Sequence, residues 1–320
     1  MIELLTETGA IGFLAEPVFR PSPDRAPGPG IVRVGFHDSG PRPDEGLGLF
    51  DILLTIDADA PAPWVAVDDP TEEVARLEQA VQAQPLAAAV AAQVFRIGER
   101  LDFDSALLLE SLAYSTLLAS EGFRCWLRDL PPQKSRSDPD ERVRIERRDG
   151  QLEIVLNRPR GRNAVDAAMR DALCEALSFA LDDPDNAPVL LRSDAAVFSV
   201  GGDLGEFGTQ SDAATGHSIR TLRSPVRLLH RLGDRATAVL HGPCVGSGIE
   251  IPLAAAKVIA RPRTSFRLPE VSMGLIPGAG GTVSVARRIG RQRACWMCIS
   301  GRAVEVERAR AWGLIDTVSQ

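Results

Sequence analysis

Apolar residues recur at three- and four-residue steps over 71–84, 85–99 and 105–128, a period that predicts three successive helices. In the last, Leu107, Leu108, Leu112, Ser115, Leu118 and Phe123 mark the stripe expected to face a core. Ahead of these helices "FDILLTID" reads as a strand. The Pro- and Gly-rich stretch 21–46 reads as loop with at most a short strand at "IVRVGF". The segment 131–142, "PPQKSRSDPDER", is polar and nearly free of apolar residues, the composition of a linker. Beyond it the rhythm changes. "VRIER" and "LEIVLNRP" flank Asp149-Gly150, a two-residue hairpin signal. A helix over 164–182 ends before Pro184. Then follow a strand "PVLLRS", a Gly-rich loop 198–208, a helix near 216–232, a strand "ATAVLH" and a second Gly-rich loop. Another helix, the strands "KVIAR" and "TSFRLPE", and further helices complete the chain. Strands alternating with helices predict an α/β core. The chain divides into a loop-rich extension with short strands over 1–60, a helical region over 61–130, the linker 131–142 and the α/β core over 143–320.

Of the 320 residues, 44% are apolar and 25% charged, which suits a sizeable buried core and one large domain or two ordinary ones. Apolar runs stay short of the roughly 18 to 20 residues that cross a bilayer. The start, "MIELLTETGAIGFLAEPVF", carries acids and lacks a basic n-region, so a cytoplasmic location without a signal peptide is expected. The net charge of -7 is uneven. Residues 1–134 hold 21 acidic and 10 basic side chains, while 135–320 hold 22 and 26. An acidic half and a mildly basic one argue against a nucleic-acid partner, and no membrane partner is expected. Five cysteines, an odd number, point to reduced thiols. Cys295 and Cys298 have CxxC spacing, but within an amphipathic helical pattern they read as buried small hydrophobes.

Two glycine loops follow strands, "FSVGGDL" at 198–204 and "HGPCVGSGIEI" at 241–251. Glycine lets backbone N–H groups approach a ligand, and two such groups from two loops could converge on one oxygen as an oxyanion hole. Read singly, each loop is first a tight turn. Two glutamates stand in apolar company, Glu250 between Ile249 and Ile251, and Glu270 after Pro269. A buried carboxylate has its pKa raised, which suits proton transfer near neutral pH, although each alone also reads as a capping or ion-paired side chain. The four histidines show no HExxH spacing, so no catalytic metal is expected. Ser199 and Ser247 lack a GxSxG setting, and "GGDLGEFG" is neither a Walker nor a dinucleotide fingerprint.

From about 143 to 318 the chain resembles the crotonase (enoyl-CoA hydratase/isomerase) superfamily. The matching pieces are "LNRPRGRNAV", "FSVGGDL", "HGPCVGSGIEI", "LPEVSMGLIPGAGGT", "RRIGRQRA" and "GRAVEVERARAWGLID", in that order. The resemblance implies an α/β fold with a spiral of β-β-α turns, assembly as homotrimers or paired trimers, and an acyl-coenzyme A substrate without a further cofactor. It implies oxyanion amides on Gly202 and Ser247, a position where the family has glycine or alanine. Glu250 would then activate water, Glu270 protonate the α carbon, and Gly278 help hold the water. Arg160 would touch the coenzyme A nucleotide, and Arg162 would also bind the substrate or its coenzyme A. Val200 and Leu204 would line the ligand path, and Gly201 and Asp203 would also bind the substrate or its coenzyme A. A lysine that some members carry three residues past the first oxyanion position is Gly205 here, and Ala256 stands where many have aspartate. Pro252 is expected within the first turn of the helix that carries Glu250.

Family members continue past "GLID" with about three more helices, whereas this sequence stops at Gln320. Its N-terminal half contains "LLLESLAYSTLLASEGFRCWL", which resembles the family's terminal helix, so a circular permutation that brings the tail to the front is expected. The implied activity is hydration of an enoyl-CoA. A double-bond isomerase, or a non-catalytic acyl-CoA-binding or scaffolding subunit, are the alternatives. The stretch 206–232 is expected to shape the acyl pocket.

Overall fold

The computed structural model describes residues 2–6, 9–17, 28, 30–38, 42–132, 141–209 and 212–319. The first strands form a five-stranded sheet in sequential order: β1 (Ile2–Thr6), β2 (Gly9–Pro17), β3 (Ile31–His37), β4 (Ile52–Thr55) and β5 (Val65–Ala66). Only β1 and β2 are antiparallel. The extension is therefore more regular than its Pro- and Gly-rich composition suggests. Val32, Val34, Ile52, Leu54 and Val65 are fully buried, and that apolar face overrides the weak local signal. Helices α1 (Pro70–Ala83), α2 (Pro85–Gly98), α3 (Phe103–Leu118) and α4 (Glu121–Asp129) follow. The helix expected over 105–128 is two helices, because the Ser120 hydroxyl accepts from the Phe123 amide and caps a new start. Most of the linker 131–142 lies outside the described residues.

In the second half, β6 (Val143–Arg148) and β7 (Gln151–Leu156) form the expected hairpin. Asp149 and Gly150 both take positive φ, 48° and 77°, as the tight turn requires. The chain continues through α5 (Ala167–Leu181), β8 (Val189–Ser193), α6 (Ala213–Leu222), α7 (Pro225–Arg231), β9 (Ala236–Leu240), β10 (Pro243–Val245) and α8 (Ser247–Glu250). It ends with β11 (Lys257–Ala260), β12 (Ser265–Arg267), α9 (Gly281–Ile289), α10 (Arg291–Ser300), β13 (Val304–Glu305), α11 (Val306–Trp312) and β14 (Thr317–Val318). A six-stranded sheet runs β14-β11-β9-β8-β7-β6, parallel except for the hairpin, and a small sheet runs β10-β12-β13.

The two halves share one core, which runs from Phe13 through the α2 alanines to Trp296 and Ile315. Helix α10 is the seam. Arg291 donates to the Phe50 carbonyl at 2.9 Å, Arg293 to Trp64 O at 2.8 Å and Ala60 O at 3.0 Å, and the Trp296 indole to Glu73 at 2.8 Å. Glu73, fully buried on α1, is paired by Arg302 at 2.6 Å. Side chains that look surface-bound in "RRIGRQR" thus satisfy buried carbonyls of the other half. The stripe read on α3 needs correction. Leu108 and Leu112 are exposed, while Phe103, Ala106, Leu107, Glu110, Ser111 and Ser115 are buried. Polar side chains occupy the inward face because it covers a cavity.

Candidate active site

The two glycine loops lie side by side. Ser199 bridges to Cys244 in parallel register, and the Val245 amide donates to the Ser199 carbonyl at 3.2 Å. Gly201 has φ 96°, and a Cβ there would stand 2.7 Å from the Val245 carbonyl oxygen, so only glycine permits this approach. The amides of Val200 and Asp203 donate to Arg162 O and Val165 O, and that of Gly201 to Ser199 Oγ. In the second loop Gly246 N donates to Arg267 O, and the amides of Ile249 and Glu250 to Gly246 O. The amides of Gly202 and Ser247 find no partner among the described residues, and both residues line one cavity of about 290 Å³. Unpaired backbone donors at a cavity wall are ready-made for an oxyanion.

Glu250, at the end of α8, and Glu270, in the turn after β12, line the same cavity and are buried. Gly246 separates them. A Cβ on it would lie 2.6 Å from Glu270 Oε1 and 3.8 Å from Glu250 Oε1, so both carboxyls border the space that missing side chain leaves. Glu250 Oε2 accepts from the Ala279 and Gly281 amides at 2.8 and 2.9 Å. A third carboxylate, Glu110 of α3, takes the intervening donors. It accepts from Gly280 N at 2.7 Å, Thr282 N at 2.9 Å and Thr282 Oγ1 at 2.6 Å. Four consecutive amides at the start of α9 thus alternate between two glutamates. Glu270 Oε2 and Ser247 Oγ are buried with no hydrogen-bond partner.

Burial raises all three carboxyls. Glu250 is pushed up to about 7, with the amides of Gly278, Ala279 and Gly281 pulling the other way. Glu110 is pushed up to about 8 by burial and then by the charge of Glu250. Glu270 is held well above the usual carboxylate range by burial, then by Glu250, with Glu110 adding less. Glu270 is raised further than Glu250, whose Oε2 is held by amides, so Glu270 keeps its proton more readily and Glu250 gives its proton up first, an acid beside a base.

The same shifts set a stability trend. An acid whose folded pKa is raised binds more protons folded than unfolded, so unfolding becomes easier as pH rises above the usual carboxylate range. His230, lowered first by burial and then by Arg287, works in the opposite direction around its own titration. The melting temperature of the wild type is therefore expected to fall with rising pH between about 5 and 8 relative to that of a Glu270→Gln variant. Parallel melting curves for the two proteins across this window would contradict the shift.

Of the residues singled out in the sequence, Gly202, Ser247, Glu250, Glu270, Val200, Gly201, Leu204 and Gly278 come together in the cavity wall. Arg160 and Arg162 do not. They are exposed on the loop after β7, outside the wall. Asp203, read as a substrate- or coenzyme A-binding residue, also lies outside it, bound by the buried Arg158 at 2.6 Å in a contact that orders the first glycine loop. Pro252 falls after the helix, not inside its first turn. Glu250 ends a single α-turn, and a 3-10 turn at Pro252–Ala254 follows. Pro252 has no N–H to offer the Gly248 carbonyl, which stops the α pattern. Cys295 and Cys298 are buried in α10, and burial pushes both thiols well up, away from thiolate chemistry. Among the described residues no group of three metal-ligating side chains gathers, and no helix is long and apolar enough to cross a membrane. The sequence reading missed Glu110, Tyr114 and Arg220, although four polar residues at helical spacing within an apolar α3 (110, 111, 114, 115) were a usable signal.

Residues 146–320 match the family model described as enoyl-CoA hydratase/isomerase. The chain is 31% identical over 174 residues to the 2,3-dehydroadipyl-CoA hydratase of Escherichia coli, covering 54% of this chain and 68% of that one. It is also 31% identical over 179 residues to the enoyl-CoA isomerase/hydratase fer4 of Mycosarcoma maydis, covering 53% and 65%. The chain thus spans about two thirds of the length of these curated relatives. The crystal structure of enoyl-CoA hydratase from Thermoplasma volcanium aligns with a TM-score of 0.52 at 31% identity, over 56% of this chain and 72% of that one. That from Bacillus anthracis aligns with a TM-score of 0.52 at 27% identity, over 56% and 70%. The fold is the α/β crotonase-like one, and the chain belongs to the enoyl-CoA hydratase/isomerase family.

Proposed function

We propose that this protein adds water across the 2,3-double bond of an enoyl-CoA thioester. The observation that carries this reading is the pair of carboxyls that border one space at Gly246, in the same wall as the two unpaired amides. The thioester oxygen accepts from the Gly202 and Ser247 amides. Glu250, its Oε2 held by two amides, presents Oε1 to a water molecule and takes its proton as the oxygen bonds to the β carbon. The π electrons move onto the thioester oxygen as an enolate, which the two amides stabilise. Glu270 then gives its proton to the α carbon, and proton exchange with solvent resets both carboxyls. A double-bond isomerase needs only one proton shuttle, and a pair of carboxyls at one cavity supports hydration over it.

The helices that resemble the family's terminal ones bear on the same site. Helix α3 supplies Leu107, Glu110, Ser111 and Tyr114 to the cavity, and this placement supports a rearranged tail that closes the pocket from the front of the chain. Assembly as a homotrimer or a dimer of trimers and a cytoplasmic location are part of the proposal. The relatives' names span different acyl groups, including 2,3-dehydroadipyl and mevalonyl, so the acyl group must come from this chain's own cavity.

Incubation with crotonyl-CoA in ¹⁸O-labelled water is the test. The expected product carries one added water with the label on the acyl chain, detected by mass. An isobaric product, or no turnover across a panel of enoyl-CoA thioesters, would rule hydration out.

A further inference from the structure

Four arginines line the cavity. Arg170 pairs with Asp171 at 2.9 Å, Arg227 pairs with Asp104 at 2.9 Å, and Arg223 is exposed. Arg220, on α6, is different. It is half-buried, and no carboxylate lies within ion-pairing distance of it among the described residues. Its Nε donates to Ser111 Oγ at 3.2 Å, and its Nη2 donates to the Ser111 carbonyl at 3.3 Å and to Ser115 Oγ. Its Nη1 donates to nothing among the described residues. The guanidinium lies over the Tyr114 ring, 4.7 Å from the centroid, and the Tyr114 hydroxyl also lacks a partner among those residues. The carboxyl whose field reaches Arg220 is that of Glu110, but its oxygens are taken by Gly280 and Thr282, and burial favours its protonated form at neutral pH.

A cation set in a cavity wall by neutral groups alone is costly, because desolvation is not offset by an ion pair. Burial accordingly pulls the Arg220 guanidinium below its ordinary value. A side chain that merely filled space would turn to solvent or find an acid, as Arg170 and Arg227 do. Arg220 is instead pinned along one edge, with Nη1 left to donate. Tyr114, beneath it, packs against Gly278, whose amide faces Glu250. The cation therefore stands near the two catalytic carboxyls, where α3 and α6 meet the cavity wall.

We propose that Arg220 binds a carboxylate at the far end of the acyl chain, so that the site takes acyl-CoA thioesters of α,ω-dicarboxylic acids. The inference rests on the acyl-CoA reading above and adds the substrate class. Guanidinium–carboxylate hydrogen bonds are among the strong ones, and the serines and the Tyr114 ring pre-orient the donor.

The test separates the two readings by measuring binding without turnover. Saturated dicarboxylyl-CoA and monocarboxylyl-CoA thioesters of matched length, across a short-chain series, are titrated into the full chain by calorimetry. At the best-fitting length the carboxylate-ended ligand is expected to bind about 10- to 100-fold more tightly, the size of a lost hydrogen bond to a charged group. Arg220→Met should abolish that preference, and Arg220→Lys should keep part of it. A methyl-ended ligand that binds as well at every length overturns the proposal. So does an Arg220→Met variant that keeps the preference, or one that weakens both series equally, since that would place Arg220 on coenzyme A. A preference without hydration of the matching enoyl-CoA would instead sink only the hydratase reading.

Discussion

Glu250→Gln and Glu270→Gln are each expected to lower kcat for enoyl-CoA hydration by about 10²- to 10⁴-fold, the range that a positioned acid or base contributes. The substitution is chosen because it conserves volume in a packed site. In Glu250→Gln the side-chain oxygen can still accept from Ala279 and Gly281, so the start of α9 stays in place, but the amide cannot take a proton from water. In Glu270→Gln the amide fills the place of a carboxyl whose Oε2 is buried without a partner, so the change removes the transferable proton and no structural hydrogen bond of that atom. KM should change less than kcat, because neither side chain is asked to hold the thioester in the ground state. Near wild-type kcat in either variant would remove that residue from the mechanism.

What could be read in advance followed from local physics. Gly201 and Gly246 both take positive φ, and both would clash through a Cβ, so the glycine loops announced a backbone requirement that a sequence can show. The Asp149-Gly150 hairpin was legible for the same reason. Glu250 and Glu270 stood out as acids in apolar company, and the order of the six motifs tied them together. Arg220 was not legible as a site residue, and Glu110 was legible only as part of a polar stripe on an apolar helix, because their roles depend on tertiary contacts. Glu110 meets Gly280 and Thr282 across 170 residues of chain, and Arg220 meets Ser111 and Ser115 across more than 100. The α3 pattern actively misled. Leu108 and Leu112 looked like the core stripe, yet the inward face is the one with a glutamate, two serines and a tyrosine. A helix that lines a reaction cavity is not obliged to bury its most apolar side, and periodicity alone cannot distinguish a cavity from a core. The buried arginines of α10 failed for a related reason, since the carbonyls they satisfy belong to the opposite half of the chain.

Glu110 gives the second large effect, and its test separates positioning from mere packing. Glu110→Ala leaves the amides of Gly280 and Thr282 and the Thr282 hydroxyl without their acceptor in a buried site, at about 1–3 kcal/mol for each orphaned group. A clear loss of melting temperature is expected, and kcat should fall with it, because the adjacent amides of Ala279 and Gly281 fix Glu250. Glu110→Gln is the milder variant. It retains one acceptor oxygen but turns an NH₂ toward donors, so part of the destabilisation remains. The decisive readout is the pH dependence of kcat. As pH rises, ionisation of Glu110 adds negative charge near Glu270 and helps hold the Glu270 proton. Without that charge Glu270 should lose its proton at lower pH, and the alkaline fall of kcat should move toward neutrality in both Glu110 variants. A residue that only braced α9 would lower stability and rate without moving that limb. An unmoved limb in Glu110→Gln would therefore confine Glu110 to a structural part, whereas a shifted one would show three carboxyls titrating as a set.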